Sequence, residues 1–159
     1  MYGLILLGIK MQRIFISGSE EQTAEIAKKF AQKAKKGDIF ALYGTLGMGK
    51  SVFARAFIQF LTNTEEVPSP TFTLVQSYDA LAFEIFHFDL YRLKSEDEVF
   101  ELGFEEAVYG GVCLIEWPER AGNWLPRDIF KVTFEPHGNK RQIKIEVVSK
   151  EKEERMKEI

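Results

Sequence analysis

The chain has 159 residues, a formal net charge of −3, 45% hydrophobic residues and 28% charged residues. That length and balance fit one globular domain with its own core and exclude a disordered chain. The acidic balance speaks against a protein that grips nucleic acid through its overall field, so any RNA role needs a local patch or a basic partner.

Residues 1–10 are apolar but too few for the ~20 residues that span a bilayer, and they lack the basic start of a secretory signal. They read as an extension ahead of Met11, either an added strand or the product of an upstream start codon. Residues 12–17 alternate as a short strand, with Ile14 and Ile16 on one face. Ser19-Glu20-Glu21-Gln22 is a capping box that opens a helix. Its inward residues are Ala24, Ile26, Ala27, Phe30, Ala31 and Ala34, and it is expected to run to about Lys36 and stop at Gly37.

An apolar run of strand length, Ile39 to Tyr43, precedes Gly44-Thr45-Leu46-Gly47-Met48-Gly49-Lys50-Ser51. This octapeptide matches G-x-x-x-x-G-K-[ST], the phosphate-binding P-loop. Val52, Phe53, Ala56, Phe57 and Phe60 then recur at helical steps. Strand, glycine loop and helix are the context in which the motif becomes a site. The glycines let backbone N–H groups curl around phosphate oxygens, and the helix start adds the positive end of its dipole. Lys50 is suited to the β- and γ-phosphates and the Ser51 hydroxyl to magnesium.

Residues 62–70 form a loop, because Pro68 and Pro70 forbid helix. Residues 72–78 and 83–91 read as strands joined by a turn at Asp79-Ala80, forming an antiparallel hairpin. Ser95-Glu96-Asp97-Glu98 is a second capping box, opening a helix over 99–102 that Gly103 interrupts and 104–109 resumes. Residues 112–115 are continuously apolar, as suits a buried central strand, and Cys113 within them reads as a core residue. Residues 129–134 and 143–148 form a second hairpin around His137-Gly138-Asn139-Lys140, and the charge run 150–159 reads as a solvated helix or tail.

The expected fold is α/β, a P-loop NTPase-like mixed sheet with a parallel core, flanking helices and antiparallel edge hairpins. Its divisions are an extension (1–10), the domain (11–149) and a charged tail (150–159).

A P-loop enzyme also needs a carboxylate to hold or orient magnesium at the end of a neighbouring buried strand. Glu116 ends the most apolar strand, and Asp89 interrupts the aromatic run His87-Phe88-Asp89-Leu90-Tyr91-Arg92. Each has a structural reading as well: Glu116 as an exposed strand end, Asp89 as the ion-pair partner of Arg92. His87 taken alone reads as a core or edge histidine. Trp117 is placed either to pack over a nucleotide or to cover the core. Thr71, behind Pro70, stands where a switch hydroxyl would meet the γ-phosphate or magnesium.

Taken together, residues 44–51, Ser69-Pro70-Thr71-Phe72-Thr73-Leu74-Val75, residues 87–92 and Glu116-Trp117-Pro118-Glu119 resemble the TsaE (YjeE) family, over roughly 12–148. That family is the small bacterial ATPase of tRNA threonylcarbamoyladenosine synthesis. Thr45 and Met48 depart from the residues usual in the family, outside the positions the motif requires. The resemblance implies that Ser51 and Glu116 coordinate magnesium, that Asp89 assists hydrolysis, and that Thr71 belongs to a switch loop. It places Glu20, Thr23 and Gly138 near the adenine. It implies ATP and Mg2+ as ligands and TsaB and TsaD as partners. The acidic balance leaves tRNA to be held only through that complex, the single Cys113 fits a reducing cytoplasm, the short apolar start gives no membrane span, and self-association stays open. The rival readings are a small-molecule P-loop kinase, although Arg55, Arg92, Arg120, Arg127 and Arg141 form no arginine-rich lid segment, and a nucleotide-gated adaptor that does not hydrolyse.

Overall fold

A computed structural model describes residues 11–45, 47–70 and 73–159. The readings made for residues 1–10, Leu46, Thr71 and Phe72 lie outside the described residues. The chain builds a seven-stranded sheet in the order β1-β7-β6-β2-β5-β4-β3. The strands are β1 (Met11–Ser17), β2 (Ile39–Tyr43), β3 (Val75–Asp79), β4 (Glu84–Asp89), β5 (Gly111–Glu116), β6 (Phe130–His137) and β7 (Lys140–Val147). β2 pairs in parallel with β5 and β6, and β4 in parallel with β5. The hairpins β3–β4 and β6–β7 and the pair β1–β7 are antiparallel, so the mixed sheet with a parallel centre is as expected.

Each face of the sheet has its own apolar layer. Helices α1 (Glu20–Gln32) and α2 (Lys50–Thr62) cover one face, with Phe30, Phe53 and Phe57 buried against Phe40, Leu114 and Phe130. Phe40 and Phe130, facing residues on neighbouring strands, stack with ring centroids 4.6 Å apart. The other face carries the thinner cover of α3 (Glu98–Glu101) and α4 (Phe104–Gly110), which bury Val99, Phe104 and Ala107 over Phe88, Cys113 and Ile115. All six residues of β5 are buried, as its unbroken apolar run requires of a strand covered on both faces.

Several expectations need correction. Helix α1 ends at Gln32 rather than near Lys36. The Asp38 carboxylate accepts the Lys35 N–H at 2.8 Å, and Lys33 and Ala34 bond back only three residues, so the chain tightens before Gly37 instead of continuing. Phe60 of α2 is exposed, and the inward stripe is Phe53, Ala54, Phe57 and Ile58. In β1, Ile14 and Ile16 do share a face, but it is the outer one; Phe15 and Ser17 point inward, Phe15 edge-on to Phe30. β3 begins at Val75: Leu74 before it takes a left-handed conformation, and only its carbonyl still bonds the neighbouring strand, accepting the Asp89 N–H at 3.0 Å. The first hairpin therefore turns over 80–83, after Asp79 has paired with Glu84.

The charge run at the C-terminus is not solvated throughout. Helix α5 (Lys150–Met156), capped by Ser149, buries Lys152, Arg155 and Met156. The Arg155 guanidinium forks onto Asp38 just before β2, 2.8 Å from its Oδ1, and also donates to Glu151 and to the Lys33 carbonyl. Arg155 and Asp38 are both buried, so removing one leaves the other charge uncompensated. Arg155→Ala should lower unfolding free energy by about 3–5 kcal/mol in urea melts. Glu151 is held well below its ordinary value of 4.5, to about 2, chiefly by the hydrogen bond from Arg155. The stability it adds is complete above 4.5 and lost as pH falls toward 2, so Glu151→Gln should flatten the acid side of the stability profile within that window.

Candidate functional site

The carboxyl ends of β2, β4 and β5 lie side by side, and each delivers chemistry at its last residue or just beyond. In the parallel register Leu42 stands opposite Glu116, and Glu116 opposite Asp89. One residue past β2 the chain leaves the sheet at Gly44, whose φ is +140°. A Cβ there would sit 2.8 Å from the Phe134 carbonyl oxygen, so only glycine lets the loop pass this close to β6. The loop then enters α2 through Gly49, which offers no side-chain cap and leaves the N–H groups of the first turn to other partners.

Lys50 opens α2 and is buried. Its Nζ donates to the Gly44 carbonyl at 2.6 Å and lies 3.8 Å from the centroid of the Trp117 ring. Burial pulls its pKa below the ordinary lysine value, while Glu116, Glu119 and Asp89 act the other way. Trp117 itself is held at a positive φ of 59°, uncommon for a bulky residue, where the chain turns out of β5.

Next to Lys50, the Ser51 hydroxyl donates to Glu116 Oε1 at 3.2 Å. The second oxygen of Glu116 lies 2.7 Å from His87 Nε2, and both side chains are buried. Asp89, also buried, accepts the Tyr91 N–H at 3.1 Å. Among the described residues no three His, Cys, Asp or Glu side chains cluster tightly enough to hold a metal by themselves. A cation held here therefore needs further oxygens from a ligand.

A cavity of about 360 Å3 opens over the loop. Its wall includes Glu20 and Thr23 at the start of α1, Gly47 to Val52 at the loop and α2, and Glu116. Ser17 Oγ and Thr23 Oγ1 are 2.7 Å apart and close the floor between β1 and α1. Gly44, Thr45, Asp89, Trp117 and Gly138 lie outside that wall; Asn139, the neighbour of Gly138, belongs to it. Thr71 and Leu46 lie outside the described residues. The sequence reading passed over two residues. Arg141 reaches from β7 toward the loop, its Nη2 3.4 Å from the Gly47 carbonyl, and Lys140 stands beside it in the wall. The available signal was a basic pair directly after the Gly138-Asn139 turn. From the sequence His87 reads as a core or edge histidine, and only strand register shows that its face is the face of Asp89 and Glu116.

The arrangement offers an anion cradle at a helix start, one buried ammonium, and a hydroxyl–carboxylate oxygen pair beside it. Substitution in the loop should separate steric from conformational cost. Gly44→Ala faces both a positive φ and the Phe134 carbonyl, whereas Gly47→Ala, at φ +80°, meets nothing within 4 Å. Both should destabilise, Gly47→Ala by about 1–2 kcal/mol and Gly44→Ala by more, read as a lower urea midpoint.

The chain is similar to known proteins in sequence and in fold. The family model described as threonylcarbamoyl adenosine biosynthesis protein TsaE matches residues 17–145. A tRNA threonylcarbamoyladenosine biosynthesis protein TsaE of Rickettsia conorii is 45% identical over 126 residues, 79% of this chain and 72% of the relative. Its namesake from Bacillus subtilis is 38% identical over 120 residues, 75% of each chain. The crystal structure of Bacillus subtilis YdiB superposes with a TM-score of 0.80 at 29% identity, covering 94% of this chain and 95% of that one.

Proposed function

The chain belongs to the TsaE family of tRNA threonylcarbamoyladenosine biosynthesis, and we propose that within that process it is a magnesium-dependent ATPase whose nucleotide state gates its interaction with TsaB and TsaD. The observation that carries this reading is the convergence of Lys50, Ser51, Glu116 and Asp89 where three parallel strands end beside a phosphate loop. Sites of this kind belong at the carboxyl ends of strands, where the chain leaves a central strand toward either side.

On this reading ATP lies in the cavity with its phosphates against the loop. Lys50 exchanges the Gly44 carbonyl for the β- and γ-phosphates, and its ammonium offsets the charge of the transferring group. Loop and helix N–H groups orient the phosphate tail, and Glu20 and Thr23 lie on the side suited to the base. The fit of magnesium rests on the paired oxygens of Ser51 and Glu116, a donor set that keeps its remaining positions for phosphate and water. When bound there, the ion neutralises charge on the phosphates. Asp89 is a buried carboxylate one strand away from Glu116, and on this reading it orients the attacking water. Lys140 and Arg141 add positive charge to the cavity wall in a chain of net charge −3, which leaves tRNA to be held mainly by the partner complex. No helix among the described residues is long and apolar enough to cross a membrane, and a cytoplasmic setting accords with the single buried Cys113, whose thiol burial pushes up to about 12.

Calorimetry with ATP, with and without magnesium, tests the assignment. Lys50→Ala should abolish productive ATP binding while leaving the fold intact. Glu116→Ala should lose the affinity that magnesium adds while keeping metal-free binding. Asp89→Asn should bind as the wild type does and release phosphate more slowly, by about 100-fold or more. Normal hydrolysis by Lys50→Ala would refute the phosphate-loop reading, and unchanged magnesium dependence in Glu116→Ala would move the metal role away from Glu116.

A further inference from the structure

We propose that His87 is the positioning residue for Glu116: its ring, protonated at Nε2, holds one carboxylate oxygen so that the other faces Ser51 and the magnesium ion. This rests on the magnesium reading above. His87 Nε2 is 2.7 Å from Glu116 Oε2, while Glu116 Oε1 is the oxygen that meets Ser51. The two contacts use opposite oxygens, so together they fix the rotation of the carboxylate.

Strand register explains how the contact arises. His87 pairs with Leu114 and Asp89 with Glu116, so His87 and Asp89 share the face of β4 that lies beside Glu116 on β5. The preceding residue on that face, Ile85, is a fully buried core aliphatic. His87 is thus a polar side chain set into an apolar row, at 2% exposure.

The unused end of the ring is the second observation. His87 Nδ1 is buried and has no hydrogen-bond partner among the described residues. A proton on Nδ1 would make a buried N–H without an acceptor, which is costly. A bare Nδ1 leaves only a lone pair unfilled, and Nε2–H then donates to the carboxylate, so the structure assigns the Nε2–H tautomer. An apolar residue of similar size would satisfy the core better, and a buried group left half-satisfied calls for an explanation beyond packing.

What the contact accomplishes shows at Lys50. Glu116, Glu119 and Asp89 all attract its ammonium, yet that ammonium bonds the Gly44 carbonyl. Held by His87, Glu116 stays turned toward Ser51, which leaves the lysine for phosphate and the carboxylate for the metal. A ligand carboxylate oriented through its second oxygen is the usual role of a group one bond removed from a metal.

The test compares ATP affinity with and without magnesium in wild type, His87→Gln and His87→Leu. The glutamine amide keeps an N–H donor; the leucine fills space without one. Metal-free affinity should be the same in all three. The gain on adding magnesium should fall roughly 10–100-fold in His87→Leu and be largely kept in His87→Gln. A wild-type gain in His87→Leu overturns the proposal and leaves His87 a packing residue. No magnesium gain in the wild type overturns the magnesium reading itself, a distinct failure that takes this proposal with it. Should His87→Leu not fold, 15N spectra of the wild-type imidazoles decide: the Nε2–H tautomer with its hydrogen bond kept in the presence of magnesium and ATP supports the proposal, and an Nδ1–H tautomer overturns it.

Discussion

The passage of the chain past Gly44 is the constraint on which the site depends. β2 lies between β5 and β6 with parallel neighbours on both sides, so its backbone must leave the sheet at a crowded edge. The Phe134 carbonyl on β6 leaves no room for a Cβ at that exit. A glycine that must be there for packing starts a loop that passes Phe134 on β6 and Arg141 on β7 and delivers Lys50 and Ser51 to the end of β5. The glycine loop, Glu116 and Asp89 come to one end of the sheet because strand lengths and register bring three strand ends to one level.

That convergence sets up an electrostatic arrangement that the fold holds open rather than closing on itself. A buried ammonium amid several carboxylates would ordinarily be neutralised by the nearest one. Here each group is engaged elsewhere: Lys50 by the Gly44 carbonyl and the Trp117 ring, Glu116 by Ser51 and His87, Asp89 by the Tyr91 N–H. Low local dielectric strengthens the interaction of these groups with an opposite charge brought among them. The contrast with Arg155 and Asp38 is instructive. There, at the opposite end of β2 from the site, the same kind of charges do pair directly, and the result is a clamp that ties α5 to the domain.

The parts of this architecture that depend on local chemistry were legible in the sequence. The glycine loop between β2 and α2 announces itself through glycine spacing and Lys50-Ser51, the buried strand through the run Val112 to Ile115, and the hairpins through alternation around turn residues. Glu116 and Asp89 could be nominated because an acid at the end of an apolar strand needs a reason. What pairing decides was not legible. Ile14 and Ile16 face outward because β1 is an edge strand whose inner face is spoken for by Phe15 and Ser17. Arg155 is buried because Asp38, far away in sequence, needs a partner. His87 and Arg141 reach the site through register and hairpin geometry, and the basic pair after the Gly138-Asn139 turn is the one sequence mark of either.

The central claim is that the chain carries a nucleotide site completed by its partners. Arg141 approaches the loop but is tied to the Gly47 carbonyl, and a charge supplied or released on complex formation would add about a thousandfold or more to phosphoryl transfer. The most direct measurement is steady-state phosphate release by the protein alone, then with TsaB and TsaD, then with tRNA added. The account predicts very slow turnover alone and a marked rise with the partners. Fast turnover by the isolated protein, unchanged by the partners, would contradict it.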